Sequence, residues 1–324
     1  MSPIDKKQQL AAIIRDRILP LIDNDYLLLD LSYHSNLGDT LIWQGELDLL
    51  KDLPYKCKYS SWLGCDIDKI GKHLTPDTII CFHGGGNFGD VWEGSNDFRK
   101  RVIKKYSHNK TIVFPQTVFY EHEENMRSDA NFYSQHPNVI ICVRDNRSFQ
   151  LVREHFPKNK SLLVPDMAFC MDMKRYRRSS NPSGSVFIRR EDKEVNREVN
   201  YKDVPTNAVV SDWTFLSKSN EYKRQRDIVK WATRFDCRLC TDWKHKWIDL
   251  YWNHVLRPLN VKTAISFIDQ FDSIYTTRMH AAILSVILEK TAITLFDNTY
   301  GKSSSFYDTW LNDVENLKMV RSGM

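Results

Sequence analysis

No stretch of the 324 residues approaches the roughly 20 consecutive apolar side chains that a bilayer-crossing helix needs. Met1–Ile22 is not expected to be a secretory leader either, because Asp5, Lys6, Lys7, Arg15, Asp16 and Arg17 interrupt any apolar stretch there. Leu10, Ile14, Ile18 and Leu21 instead mark one face of an amphipathic helix, expected to dock on the core rather than lie on a membrane. The 7 cysteines are odd in number and scattered, which excludes a disulfide framework and makes a reducing cytoplasm the natural home. Cys237-Arg238-Leu239-Cys240 has no second pair and no histidines at zinc-like spacing, so no metal is expected. Charge of one sign is also lacking. The formal net charge of +5 is spread along the chain, so nothing calls for nucleic acid, whereas a small polyanion or an acceptor at an anionic membrane surface fits. Neither a tandem repeat nor a low-complexity tract appears.

What is present is an ordinary globular composition, 42% hydrophobic and 27% charged, long enough for one large or two ordinary domains. Short apolar runs end in polar loops and alternate with helical patterns. Tyr26–Leu31, Thr78–Phe82, Thr111–Phe114, Val139–Val143 and Ser161–Val164 read as buried strands of a parallel sheet. The run from Lys174 to Ser185 turns basic and then small and polar, and is the best linker. Beyond it, Val186–Ile188, Cys237–Thr241, Ser273–Thr277 and Thr291–Phe296 read as strands, with helices over Asn220–Phe235, His245–Leu256 and Ala281–Glu289 and a closing helix after Lys302. The spacing predicts a doubly wound α/β fold in two units, 1–176 and 177–324, with the last helix a candidate to cross back to the first unit.

The centre of the pattern is Phe82-His83-Gly84-Gly85-Gly86-Asn87-Phe88-Gly89-Asp90. A glycine turn between a strand and a helix around Asn96–Tyr106 would bring bare backbone N–H groups to an anion, or else simply make a tight turn. Asn36-Leu37-Gly38-Asp39 echoes Asn87-Phe88-Gly89-Asp90, so the two loops are expected to line one rim of one sheet. Asp39 and Asp90 either orient hydroxyls or cap helices. Arg278 and His280 sit where a strand runs into a helix N-terminus, which places a fixed cation and a titratable ring together. Arg189 and Arg190 end a strand of the second unit and suit bidentate grip on carboxylate or phosphate. Together these features want a small ligand with more than one negative group.

The ordered set Asn36-Leu37-Gly38-Asp39, Gly84 to Asp90, Phe114-Pro115-Gln116, Pro165-Asp166-Met167-Ala168, Phe187-Ile188-Arg189, Thr277-Arg278-Met279-His280 and Asn298-Thr299-Tyr300-Gly301-Lys302 resembles the polysaccharide pyruvyl transferase family along nearly the whole chain. The resemblance implies a glycosyltransferase-B-like pair of Rossmann-like domains with the site in the interdomain cleft. It implies phosphoenolpyruvate as co-substrate, no cofactor, and a pyruvate ketal on a sugar, lipid-linked oligosaccharide or polysaccharide acceptor, with peripheral association at a membrane or envelope-assembly complex left open. In these terms His280, Arg278, Asp39 and Asp90 are the catalytic candidates. Arg189, Arg190, Asn36, Gly38, Gly84, Gly85, Gly86, Asn87, Gln116 and Lys302 are the substrate-binding ones. Met279 stands where the family usually has leucine, a nearly volume-conserving change. Two other readings stay open. One is a nucleotide-sugar glycosyltransferase, since Asp23-Asn24-Asp25 and Asp66-Ile67-Asp68 match a D-x-D pattern. The other is a non-enzymatic sugar-binding scaffold.

Overall fold

The computed structural model describes residues 1–179, 181–191, 196, 199–213, 220, 223–225, 227–229, 241–298 and 301–321. Two all-parallel sheets form its framework. The first contains β1 (Tyr26–Leu29), β2 (Cys57–Ser60), β3 (Ile79–Phe82), β4 (Gly85–Gly89), β5 (Thr111–Phe119), β6 (Val139–Val143) and β7 (Lys160–Leu163) in the order β2-β1-β3-β5-β6-β7, with β4 also on β5. The second contains β8 (Ser185–Ile188), β9 (Val209–Ser211), β10 (Ser273–Thr276), β11 (Ala292–Phe296) and β12 (Leu317–Val320) in the order β12-β11-β10-β8-β9. In each sheet the order reverses once, between β1 and β3 and between β8 and β10. Open α/β sheets take ligands outside the carboxyl ends of the strands at such a reversal.

Strand burial follows the period of two. Leu28, Cys81, Ile112, Phe114 and Cys142 face one apolar cluster. Leu27, Leu29, Ile80, Phe82, Val113, Ile141 and Val143 face another on the opposite side. The first cluster continues into Val186, Ile188, Ile274 and Ile293 of the second sheet, so the apolar packing runs unbroken from one sheet to the other. Helix α1 (Pro3–Ile18) supplies Leu10, Ile14 and Ile18 to it, as the amphipathic pattern requires. The described part of the 174–185 segment is held down, with Arg178 Nε donating to Asp269 Oδ1 at 3.1 Å.

Three elements depart from the sequence expectation. The triglycine stretch is not a turn into a helix. β3 stops at Phe82, the chain jogs through His83 and Gly84, and β4 takes over beside the second half of β5, pairing Gly85 with Gln116 and Phe88 with Val118. Gly85 (φ 135°) and Gly89 (φ 130°) lie in the backbone region glycine favours, and a β-carbon on Gly89 would fall 1.8 Å from the Phe119 carbonyl oxygen. The helix that follows, Glu93–Lys105, begins three residues before Asn96. Second, the helix expected to stop at Leu256 passes through a π-turn at Trp252–Leu256 into a further helix, Arg257–Asp269. Third, Thr291–Phe296 is not the last strand, because β12 follows the closing helical segment. That segment, Lys302–Leu311, packs on the helix Asn146–His155 of the first sheet: Trp310 Nε1 donates to the Arg144 carbonyl at 2.8 Å. Residues 237–240 of the expected 237–241 strand, with Cys237-x-x-Cys240, much of the 220–235 helix, Thr299 and Tyr300 lie outside the described residues, while Thr241 begins the helix Thr241–Tyr251 rather than ending a strand.

Candidate active site

The carboxyl ends at both sheet reversals open onto one cavity of about 850 Å³. Asp30, Ser32 and Tyr33 follow β1, and His83, Gly84, Gly85 and Gly86 follow β3. Arg190 follows β8, and Arg278, Met279 and His280 follow β10. Asn36, Asp39, Trp62, Asn87, Asp90, Arg144, Trp213 and Lys302 complete the part of the lining that matters below.

His280 sits in the first turn of the helix Met279–Ile287. Its Nε2 is 3.1 Å from Asp166 Oδ2 and 3.3 Å from Arg144 Nη1, and Arg144 Nη1 donates to the same Asp166 oxygen at 2.6 Å. The contact with Asp166 places a proton on Nε2, because an ionised carboxylate can only accept. Burial works to raise the Asp166 carboxyl, but His280, Arg144 and the Ala168 amide outweigh it and hold the group below its ordinary range. Arg144 is fixed from a second side by donating from Nε to Thr117 Oγ1 at 2.9 Å. The imidazole rests against Gly38 so closely that a β-carbon there would meet Nδ1 at 2.5 Å. Glycine at 38 is thus a steric requirement of the histidine's position, not a hinge.

Arg278 grips Asp212 in a two-bond fork, Nε to Oδ1 at 2.8 Å and Nη2 to Oδ2 at 2.7 Å, both residues buried. Arg190 reaches the cavity and Arg189 does not. Strand alternation puts Phe187 in a small cluster with Tyr201 and Phe296, and Arg189, two residues on, stacks over the Tyr201 ring at 5.8 Å on the exposed side. Lys302 Nζ and Arg144 Nη2 approach Gly86, at 3.9 and 3.2 Å from where its β-carbon would be. One end of the cavity therefore collects Arg144, Arg190, Arg278, Lys302 and His280.

The two Asn-x-Gly-Asp stretches both reach the cavity, through Asn36, Asp39, Asn87 and Asp90, but they are built differently. Asn36 caps the helix Leu37–Leu50 by accepting from the Gly38 amide, and donates to Asp39 Oδ2 at 2.7 Å, which leaves Asp39 in the cavity wall near His34 and His280. Asp90 touches the cavity rim, yet its carboxylate accepts from the Glu121 and His122 amides and from Asn125 Nδ2 at 2.7, 2.9 and 3.1 Å. Those bonds outweigh desolvation and lower its proton affinity, so Asp90 anchors the entry to the helix Glu123–Ser134. The Gly84 amide is taken by Glu46 Oε1 at 2.8 Å and the Asn87 amide by Gln116 Oε1 at 3.1 Å. The backbone expected to cradle an external anion is thus occupied by internal acceptors at both points. Gln116 also donates to the His83 carbonyl at 2.8 Å, clamping the jog between β3 and β4 rather than reaching the cavity.

Sequence reasoning missed Asp30, His83, Asp212 and the partnership of Arg144 with Asp166. Asp30 holds a left-handed φ of 64° at the end of β1, the kind of local strain that concentrates at functional sites. Burial pushes its carboxyl up to about 6, against the pull of Arg99, His83, Ser95 and Asn87. A charged residue directly after an apolar strand was the available signal for Arg144 and for Asp30 alike. None of the D-x-D aspartates lines the cavity: Asp66 caps a short helix, Asp25 accepts from the Lys56 amide and Asp23 pairs with Lys110. Among the described residues no group of three histidine, cysteine or acidic side chains is placed to hold a metal, and no helix is long and apolar enough to cross a membrane.

Comparison with known proteins converges on one family. The family model described as polysaccharide pyruvyl transferase matches residues 36–299. EpsO of Bacillus subtilis (strain 168), whose name assigns it provisionally to the pyruvyl transferases, is 26% identical over 99% of this chain and 95% of its own length. Pyruvyl transferase 1 of Schizosaccharomyces pombe is 24% identical over 86% of this chain and 68% of its own length. The crystal structure of an uncharacterized protein from Klebsiella pneumoniae superposes with a TM-score of 0.59 at 16% identity, over 97% of this chain and 98% of that one, and shares the fold.

Proposed function

This chain belongs to the polysaccharide pyruvyl transferase family, and on that premise we propose that it moves pyruvate from phosphoenolpyruvate onto two hydroxyls of a sugar, releasing phosphate and leaving a pyruvate ketal on a cell-surface polysaccharide or its precursor. The observation that carries this reading is the gathering of Arg144, Arg190, Arg278 and Lys302 around His280 at one end of the cavity. Phosphoenolpyruvate carries a carboxylate and a phosphate on three carbons, and a group of fixed cations matches that spacing of charge. In this reading Arg278 and Arg190 grip the anionic groups, with Asp212 fixing the plane of the Arg278 guanidinium.

His280, steadied by Asp166, protonates the methylene carbon of the donor. The adjacent carbon becomes electrophilic, one sugar hydroxyl adds to it, and a second hydroxyl closes the ketal as the C–O bond to phosphate breaks. The chain divides in this reading near residues 176 and 177 into a first unit that presents the acceptor and a second that holds most of the donor. It works in the cytoplasm, where phosphoenolpyruvate is made. Phosphate release from phosphoenolpyruvate in the presence of acceptor sugars, followed by mass spectrometry of the sugar pool, tests the proposal. A product heavier by one pyruvate less water supports it, and phosphate release with no change in any sugar rules it out.

A further inference from the structure

Among the described residues, several buried polar atoms without a partner belong to side chains that line the cavity. Ser32 Oγ, Trp62 Nε1, His83 Nε2 and Trp213 Nε1 all lack a hydrogen-bond partner, and all four belong to residues that line the cavity. A buried polar atom left unpaired costs on the order of 1–3 kcal/mol, so four of them in residues that line one cavity would be relieved by a ligand rich in hydroxyls. Ser32, Trp62 and His83 belong to the loops after β1, β2 and β3, whereas Arg190 and Arg278 follow strands of the second sheet. Tyr33 stacks on Trp62 there, 6.0 Å between ring centres and 14° between planes, and is itself fixed by donating to Asp249 Oδ1 at 2.9 Å. Aromatic faces beside unpaired donors form the usual environment of a sugar ring.

His83 stands apart within this group. It is 2% exposed, and its Nδ1 lies 2.8 Å from Glu46 Oε2, in a carboxylate that is itself buried and fixed by the Gly84 amide. A carboxylate on Nδ1 fixes the proton there and leaves the Nε2 lone pair as the acceptor. Burial works against protonation of the ring, but Glu46, with Asp39 and Asp30, outweighs it and holds the proton affinity above the ordinary value. This is the arrangement of an oriented general base.

We propose that His83 Nε2, oriented by Glu46, is the base that takes the proton of the attacking sugar hydroxyl, in an acceptor subsite that Ser32 and Trp62 complete. The inference rests on the donor reading above. In the step, the sugar O–H bond breaks and its proton goes to His83 Nε2, while the oxygen forms a bond to the central carbon of phosphoenolpyruvate. The electron pair of the carbon–carbon double bond takes a proton from His280 at the methylene carbon, giving a methyl group. Glu46 never touches the sugar and is a positioning residue.

The experiment uses the full chain, phosphoenolpyruvate, and the methyl glycosides of glucose, galactose and mannose as acceptor probes. His83→Gln is expected to lower phosphate release by about 10²-fold or more while phosphoenolpyruvate affinity, read by tryptophan fluorescence, stays within about threefold. In His83→Ala, added imidazole restores turnover. In Glu46→Gln the acid limb of the kcat/KM profile for the acceptor moves to lower pH, which loss of packing alone would not produce. Independently of the donor, the ¹⁵N resonance of His83 Nε2, assigned by its absence in His83→Gln, shifts on addition of a glycoside. Full turnover in both His83 variants, or a histidine resonance that no glycoside moves, overturns the assignment. Absence of phosphoenolpyruvate binding in the wild-type chain overturns the donor reading instead, and the glycoside titration then decides the subsite alone.

Discussion

The two ends of the cavity are built from the same kind of element, a loop after a parallel strand, yet they carry opposite chemistry. At the end of Arg144, Arg190, Arg278 and Lys302 the charges have carboxylate partners or close neighbours, as in the Arg278–Asp212 fork and the Arg144–Asp166–His280 group. At the end of Ser32, Trp62 and His83, three atoms (Ser32 Oγ, Trp62 Nε1 and His83 Nε2) lack hydrogen-bond partners. A site for a small dianion must hold its cations in place before the ligand arrives, because unanchored guanidinium groups lose side-chain entropy on binding. A site for a neutral sugar can leave donors and acceptors open, since the ligand brings both. On the proposed function, the contrast would let one cavity take a charged donor and an uncharged acceptor without a wall between them.

The strongest test of that division is His280→Ala or Arg278→Ala. Each is expected to cut phosphate release by about 10²–10⁴-fold, with near-native melting for His280→Ala, and unchanged turnover in both variants breaks the assignment of the cationic end. Next in size is a pH effect between the two ends, at Asp30. Its folded carboxyl near 6 lies above the unfolded value of about 3.9, so the native state binds the extra proton and the stabilisation it confers is present below pH 4 and lost as pH rises through 6. Urea unfolding of wild type and Asp30→Asn should therefore diverge by up to about 3 kcal/mol between pH 4 and pH 7, in favour of the variant. Parallel curves would mean that Asp30 is ionised throughout.

Adjacent arginines sharpen the comparison further. Arg190→Ala is expected to weaken phosphoenolpyruvate binding roughly 10- to 100-fold, the range for losing a bond to a charged group. Arg189→Ala, whose guanidinium stacks on Tyr201, should leave it within about twofold and cost at most about 1 kcal/mol of stability. Equal losses would show that the strand alternation does not decide which arginine meets the ligand. The smallest effect is expected at Asp90. Asp90→Ala removes three hydrogen bonds at a helix entry and should lower stability by about 1 kcal/mol, with turnover little changed in a phosphate-release assay.

The strand and helix alternation was legible because buried parallel strands are short apolar runs, and β1, β3, β6, β8 and β10 all fall where such runs occur. β4 was hidden because glycine disfavours strands in general, although here its missing side chains let it lie against Phe119. The helix Arg257–Asp269 was hidden because Pro258 suggests a break, whereas proline is tolerated at the start of a helix. At the site, residues that act through one strand end were readable: Arg278 and His280 are two positions apart and share one junction. Arg144, Asp166 and His280 were not readable as a unit, since 136 and 114 residues separate the histidine from its partners and no local pattern encodes such a meeting. Arg189 misled because an arginine at a strand end has even odds of either face, and only the register against Tyr201 decides.

The unbroken apolar packing between the sheets carries a consequence for how the molecule comes apart. Cutting the chain at the 176/177 boundary would divide the cluster that holds Leu10, Ile14, Ile18 and Leu28 together with Val186, Ile188 and Ile274. Neither fragment would then be a fair stand-in for half of the enzyme. On heating, the two halves are expected to lose structure in a single cooperative event rather than in a sequence of two.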